Sequence, residues 1–134
     1  MPVSLAVGTV RTPEFPVRGE AYFIMLQARK GQIPFFDMVC MMGITSGPLD
    51  KERCSQAPLL ETNWTVWDGA HIVAQGSNRT EADAEFTNEH LFKFLGMFMG
   101  EAGRKYAVEV KFTRDGTPLN AADPHFIVIL VRNH

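Results

Sequence analysis

Tyr106, Val108, Val110 and Phe112 alternate with Ala107, Glu109 and Lys111, and the unbroken apolar run Phe126 to Val131 follows soon after. Period-two alternation gives one face of a strand to a core and the other to water, whereas a short continuous apolar run reads as a strand covered on both faces. Strands of such different burial belong to a packed sheet structure, and this sets the fold class as mainly β.

The 134 residues are of ordinary single-domain size and suffice to close one core, so a single domain over residues 1–134 is expected. Hydrophobic residues make up 46% and charged residues 21%, and no apolar run approaches the ~20 residues of a membrane helix. A formal charge of −2 with scattered signs supplies no basic stripe for nucleic acid and no polybasic patch for lipid. Nucleic acid is therefore the least expected partner, and no membrane span is expected. Met1 to Leu5 lacks a basic region, and Leu5 to Val10 is too short and broken for the apolar centre of a signal peptide. Either a cytosolic chain or a mature segment of an exported one fits, and a strand beginning at Val3 favours the second.

Seven short segments read as strands: Val3–Val10, Glu20–Gln27, Pro34–Ile44, Asn63–Asp68, His71–Gln75, Tyr106–Thr113 and Phe126–Val131. Clusters of Gly, Pro, Asn and Asp separate them, as at Thr45-Ser46-Gly47-Pro48 and Asp115-Gly116-Thr117-Pro118, where they supply turn dihedrals and end strands. About seven strands so spaced predict a sandwich or barrel. Trp67-Asp68-Gly69-Ala70 predicts a tight hairpin that pairs Asn63–Trp67 with Ala70–Gln75. From Glu81 to Gly100 the pattern changes. Phe86, His90, Leu91, Phe94, Leu95 and Phe98 recur at spacings of three to five, and acidic residues crowd the amino-terminal side. This predicts one helix over about 88–99.

Gly103 precedes Tyr106, which opens the alternating strand, and this order resembles the tyrosine corner of immunoglobulin-like sandwiches, where the phenol bonds back to upstream backbone. Val108 stands where a true immunoglobulin domain has its second cysteine, so the resemblance implies the sandwich alone. The series Cys40, Cys54, Trp64-Thr65-Val66-Trp67 and Gly103-Arg104-Lys105-Tyr106 resembles small extracytoplasmic bacterial proteins of unassigned role. That resemblance implies a periplasmic or extracellular location and carries no activity.

Cys40 and Cys54 are the only cysteines. A buried free thiol beside an exposed one is the bland reading; a disulfide closing a ~15-residue ring is the sharper one, and it suits an oxidising compartment. Soft thioethers at Met38, Met41, Met42, Met97 and Met99, with His71, His90 and His125, make a copper(I) site chemically conceivable. Core filling by methionine is the stronger reading, because residues 97 and 99 on a helix would diverge. No metal or cofactor is expected. Asp115, Asp123 and His125 border the final strands and form the best hydrolase constellation, although loop carboxylates beside Gly and Pro are commonly turn formers. Trp64 and Val66 share one strand face and Trp67 takes the other, which makes Trp67, beside Asp68, the candidate contact residue. The leading expectation is a non-enzymatic immunoglobulin-like sandwich that binds a protein partner. A copper or small-molecule binder and a hydrolase with a loop-borne site are the rivals.

Overall fold

The computed structural model describes residues 4–42, 59–77, 84–87 and 89–130. Their elements run β1 (Gly8–Arg11), β2 (Phe15–Pro16), β3 (Ala21–Arg29), α1 (Phe35–Met42), β4 (Thr62–Asp68), β5 (His71–Ser77), β6 (Ala84–Phe86), β7 (His90–Met99), β8 (Lys105–Phe112), a 3-10 helix (Thr117–Ala122) and β9 (His125–Leu130). One antiparallel sheet has the order β1-β8-β4-β5, with β2 also paired to β8; the other has the order β6-β7-β3-β9.

Alternation builds the interface between the sheets. Thr62, Trp64 and Val66 of β4 face inward, and Trp64 and Val66 lie opposite Val110 and Val108 of β8. They meet Ile24, Leu26, Leu91, Leu95, Phe98 and Phe126 from the other sheet in one core. The expected hairpin is present, with Asp68 opposite His71 and only Gly69 and Ala70 between them. The chain is mainly β, with two packed sheets, as the alternation predicts.

Two elements differ from their sequence patterns. The helix expected over about 88–99 is not found: His90–Met99 is strand β7. Its pairing with β3 slips between Ile24, opposite Gly96, and Met25, opposite Phe94, so Leu95 is the extra residue of a β-bulge. Inward positions are therefore odd before the bulge and even after it, and outward positions are apolar as well. That combination erases the two-residue period and leaves intervals that mimic a helical stripe. Conversely, Pro34–Ile44, expected as a strand, contains helix α1. Met38 and Met42, one turn apart, are both fully buried, Asp37 lies in the first turn, and Met38 N donates to Pro34 O at 3.0 Å. An apolar run of this length carries no periodicity that separates strand from helix.

The tyrosine contact also sits elsewhere. Tyr106 is buried beside Phe98, with ring centroids 6.2 Å apart, and among the described residues its hydroxyl makes no hydrogen bond. Gly103 occupies the preceding turn at φ 85°. The corner-like bond belongs to Tyr22, whose hydroxyl accepts from Arg18 N at 2.9 Å while its ring stacks on Phe98 at 5.3 Å. Tyr22→Phe should lower unfolding free energy by about 0.5–1.5 kcal/mol, and Tyr106→Phe should leave it unchanged. Urea titration of the two variants checks this, and a larger loss at Tyr106 would reverse the assignment.

Candidate functional site

Trp67 lies on the outer face of the first sheet, opposite to Trp64 and Val66, as alternation requires. The residue is half-buried, and its register partner on β8 is Ala107. Arg11 Cζ stands 5.6 Å from the ring centroid, and Trp67 Nε1 donates to Glu109 Oε2 at 2.8 Å. Asp68 faces Arg104 at 3.7 Å. The hairpin end thus carries an aromatic and ionic cluster whose members already satisfy one another, and the indole presents little unengaged surface.

The rival sites do not assemble. His125 Nε2 is 3.3 Å from Asp123 Oδ1, but Asp115 Oδ1 accepts from Thr117 N and so serves its own turn. Asp123 caps the 3-10 helix in the left-handed region, at φ 49°. Among the described residues no three His, Cys, Asp or Glu side chains converge as metal ligands. Met38 and Met42 are in the core, and Met97 and Met99 lie on the outer face of the other sheet. The expectation that residues 97 and 99 diverge fails, because a strand points both the same way. Their neighbours there are Phe23 and Ala21, while His90 and His125 lie at the far end of the face. Cys40 is half-buried on α1 and is disulfide-bonded; Cys54 lies outside the described residues. An open depression of about 450 Å³ beside α1 is lined by Lys30, Gly31, Gln32, Ile33, Pro34 and Met38. Its only charged group, Lys30 Nζ, donates to Thr87 O at 2.6 Å.

The outer face of the β6-β7-β3-β9 sheet is the feature that pattern reading missed. Register sets Met97, Phe23 and Ile129 in one cross-strand row and Phe94, Met25 and Ile127 in the next. Met99 and Ala21 extend it at one end; Phe92, Gln27 and His125, then His90 and Arg29, finish it at the other. Met99, Met97 and Ile129 are 64%, 55% and 40% exposed, and the Phe23 and Phe94 rings lie 4.9 Å apart. Met25, at the centre, is only 3% exposed although it is not part of the core between the sheets, because its outward neighbours wall it in. Lys93, the one inward charge on β7, is buried and engaged with a partner. The signal for this face was present in residues 90–99 as apolar side chains of both parities, and the helical reading drew Phe86, His90, Leu91, Phe94, Leu95 and Phe98 into one core stripe.

The chain matches no protein-family model and no curated protein. Its fold is similar to the crystal structure of GEBA250068378 from Sulfurospirillum deleyianum, with a TM-score of 0.69 and 10% sequence identity over 99% of this chain and 96% of the other. At that identity the likeness extends to the fold alone. It covers essentially the whole two-sheet arrangement.

Proposed function

We propose that this protein is a non-enzymatic interaction domain of the periplasm or extracellular space, and that it binds a protein partner on the outer face of its four-stranded sheet. The observation that carries this reading is the pair of cross-strand rows Met97-Phe23-Ile129 and Phe94-Met25-Ile127. A sheet needs one apolar face to fold; a second apolar face, with thioethers and rings rather than charges across its middle, needs a partner to cover it. We read the sandwich as immunoglobulin-like in the loose sense, on the support of two antiparallel sheets and the Tyr22 hydroxyl bond.

The extracytoplasmic location rests on Cys40, which is held as a disulfide. We propose Cys54 as its partner, since the chain has no other cysteine. A stable disulfide belongs to an oxidising compartment. Alkylation of the unreduced protein should label neither cysteine; two labelled thiols would remove both the bridge and the location.

A photo-crosslinking residue at position 97 should yield an adduct of discrete mass in the native cell, whereas one at position 111, on the opposite sheet, should not. Equal labelling from both positions, or none from either, would contradict the reading.

A further inference from the structure

We propose that β9, at the edge of the four-stranded sheet, pairs with β9 of a second copy of the chain, so that the two sheets run on as one across a two-fold axis perpendicular to them. The surface in question is a main-chain edge. It is distinct from the outer face and stands whatever covers that face.

The sheet edges are guarded unequally. An edge strand offers a row of unpaired N–H and C=O groups, and natural sheets blunt that row with short strands, charges, prolines or bulges. Strand β6 has 3 residues with Glu85 at their centre. Strand β1 has 4, opening on Gly8 and closing on Arg11, and β2 has 2, of which one is Pro16. Strand β5 carries Gly76 and slips against β4, so that Val73 is the extra residue of a bulge. None of these devices is present in β9. Its 6 residues, His125–Leu130, hold an unbroken register with β3 and include no Gly, Pro, Asp, Glu, Lys or Arg. Among the described residues β9 pairs with β3 alone.

Burial shows that this edge is open on both flanks. Tyr22 and Ile24 of β3 face the core and are 8% and 0% exposed, but Leu130 and Val128, their register partners on β9, are only half-buried. On the other flank Ile127 is half-buried and Ile129 more exposed still. The occupant such an edge selects is an extended chain with apolar side chains of both parities: its main chain pairs the free groups, and its side chains cover Val128 and Leu130 on one side, Ile127 and Ile129 on the other. Strand β9 of a second copy has that composition, and a two-fold axis satisfies both open edges in one contact.

Symmetry fixes the register. An axis perpendicular to the sheet makes the two strands antiparallel and keeps each face on its own side, so inward residues pair only with inward ones. Centring on Ile127 would set His125 against Ile129 of the other copy. Centring on Val128 sets Val128 against itself, Ile127 against Ile129 and Phe126 against Leu130, so every described pair is apolar and no charge opposes its like.

Disulfide mapping tests the register, and sedimentation equilibrium of the full chain from low to high micromolar concentration tests the dimer. Residues directly opposite lie about 4.5–5.5 Å apart at Cα, within disulfide reach. In a glutathione redox buffer, Ile127→Cys mixed with Ile129→Cys should therefore give a crosslinked heterodimer. Neither variant alone should crosslink, because its like residues would stand roughly 8 Å apart, beyond the ~7 Å limit. The wild type should be a concentration-dependent dimer. The double variant Ile127→Lys/Ile129→Lys, which sets lysine opposite lysine, should be monomeric, with an unfolding transition that shows it still folds. A wild-type monomer at every concentration would overturn the proposal. So would a dimer in which the mixed cysteines fail to join, since its interface would lie elsewhere.

Discussion

Trp64 reaches from β4 across the gap between the sheets and lies against the backbone of β7 at Gly96, with Gly76 of the neighbouring β5 on its other flank. A side-chain carbon at Gly96 would run into the indole, and one at Gly76 would stand 2.6 Å from Trp64 Cζ2. The indole is 7% exposed, and its Nε1 has no hydrogen-bond partner among the described residues. Leaving a buried donor unpaired costs about 1–3 kcal/mol, which the burial of so large a ring offsets. Gly96 can face the indole only because the bulge at Leu95 switches the inward parity of β7. Without that extra residue Gly96 and Phe98 would point out, and Met97 and Met99 would point in. The packing of one tryptophan and the apolar character of the far surface are thus two consequences of a single bulge.

This coupling explains what could be read from the chain and what could not. The alternating strand at Tyr106–Phe112, the Asp68-Gly69 hairpin and the outward placement of Trp67 were legible, because each is a local pattern with a polar face for contrast. Strand β7 was not. Its apolar residues serve two surfaces and change parity midway, and no local rule separates that from a helix. Helix α1 was hidden by the reverse problem, a run too apolar to show a stripe until Met38 and Met42 are seen to share the buried side. The tyrosine bond was sought at Tyr106 because a Gly-led turn precedes it; Gly19 and Tyr22 stand in the same relation, and there the Arg18 N–H is positioned to donate.

The two outer faces divide the roles of the sandwich. On the first sheet, Trp67 is tied to Glu109 and covered by Arg11, and Asp68 faces Arg104. That surface also exposes Ile72, the register partner of Trp67, and Val73 on β5. On the second sheet, Phe23, Phe94, Met97, Met99, Ile127 and Ile129 spread over three strands, with Arg29 in the last row and Glu85 of β6 at the register position beside Phe92. An exposed apolar patch of that extent is a liability unless something covers it, and methionine suits a surface that must adjust to its partner.

Hydroxyl-radical footprinting inside the native cell, set against the purified protein at high dilution, tests this account most directly. Met97 and Met99 should oxidise readily in the diluted protein and be protected in the cell, while His71 on the opposite sheet reacts alike in both. Oxidation of Met97 and Met99 in the cell as fast as in dilute solution would mean that the face stays bare, and would contradict the claim that it is built to be covered.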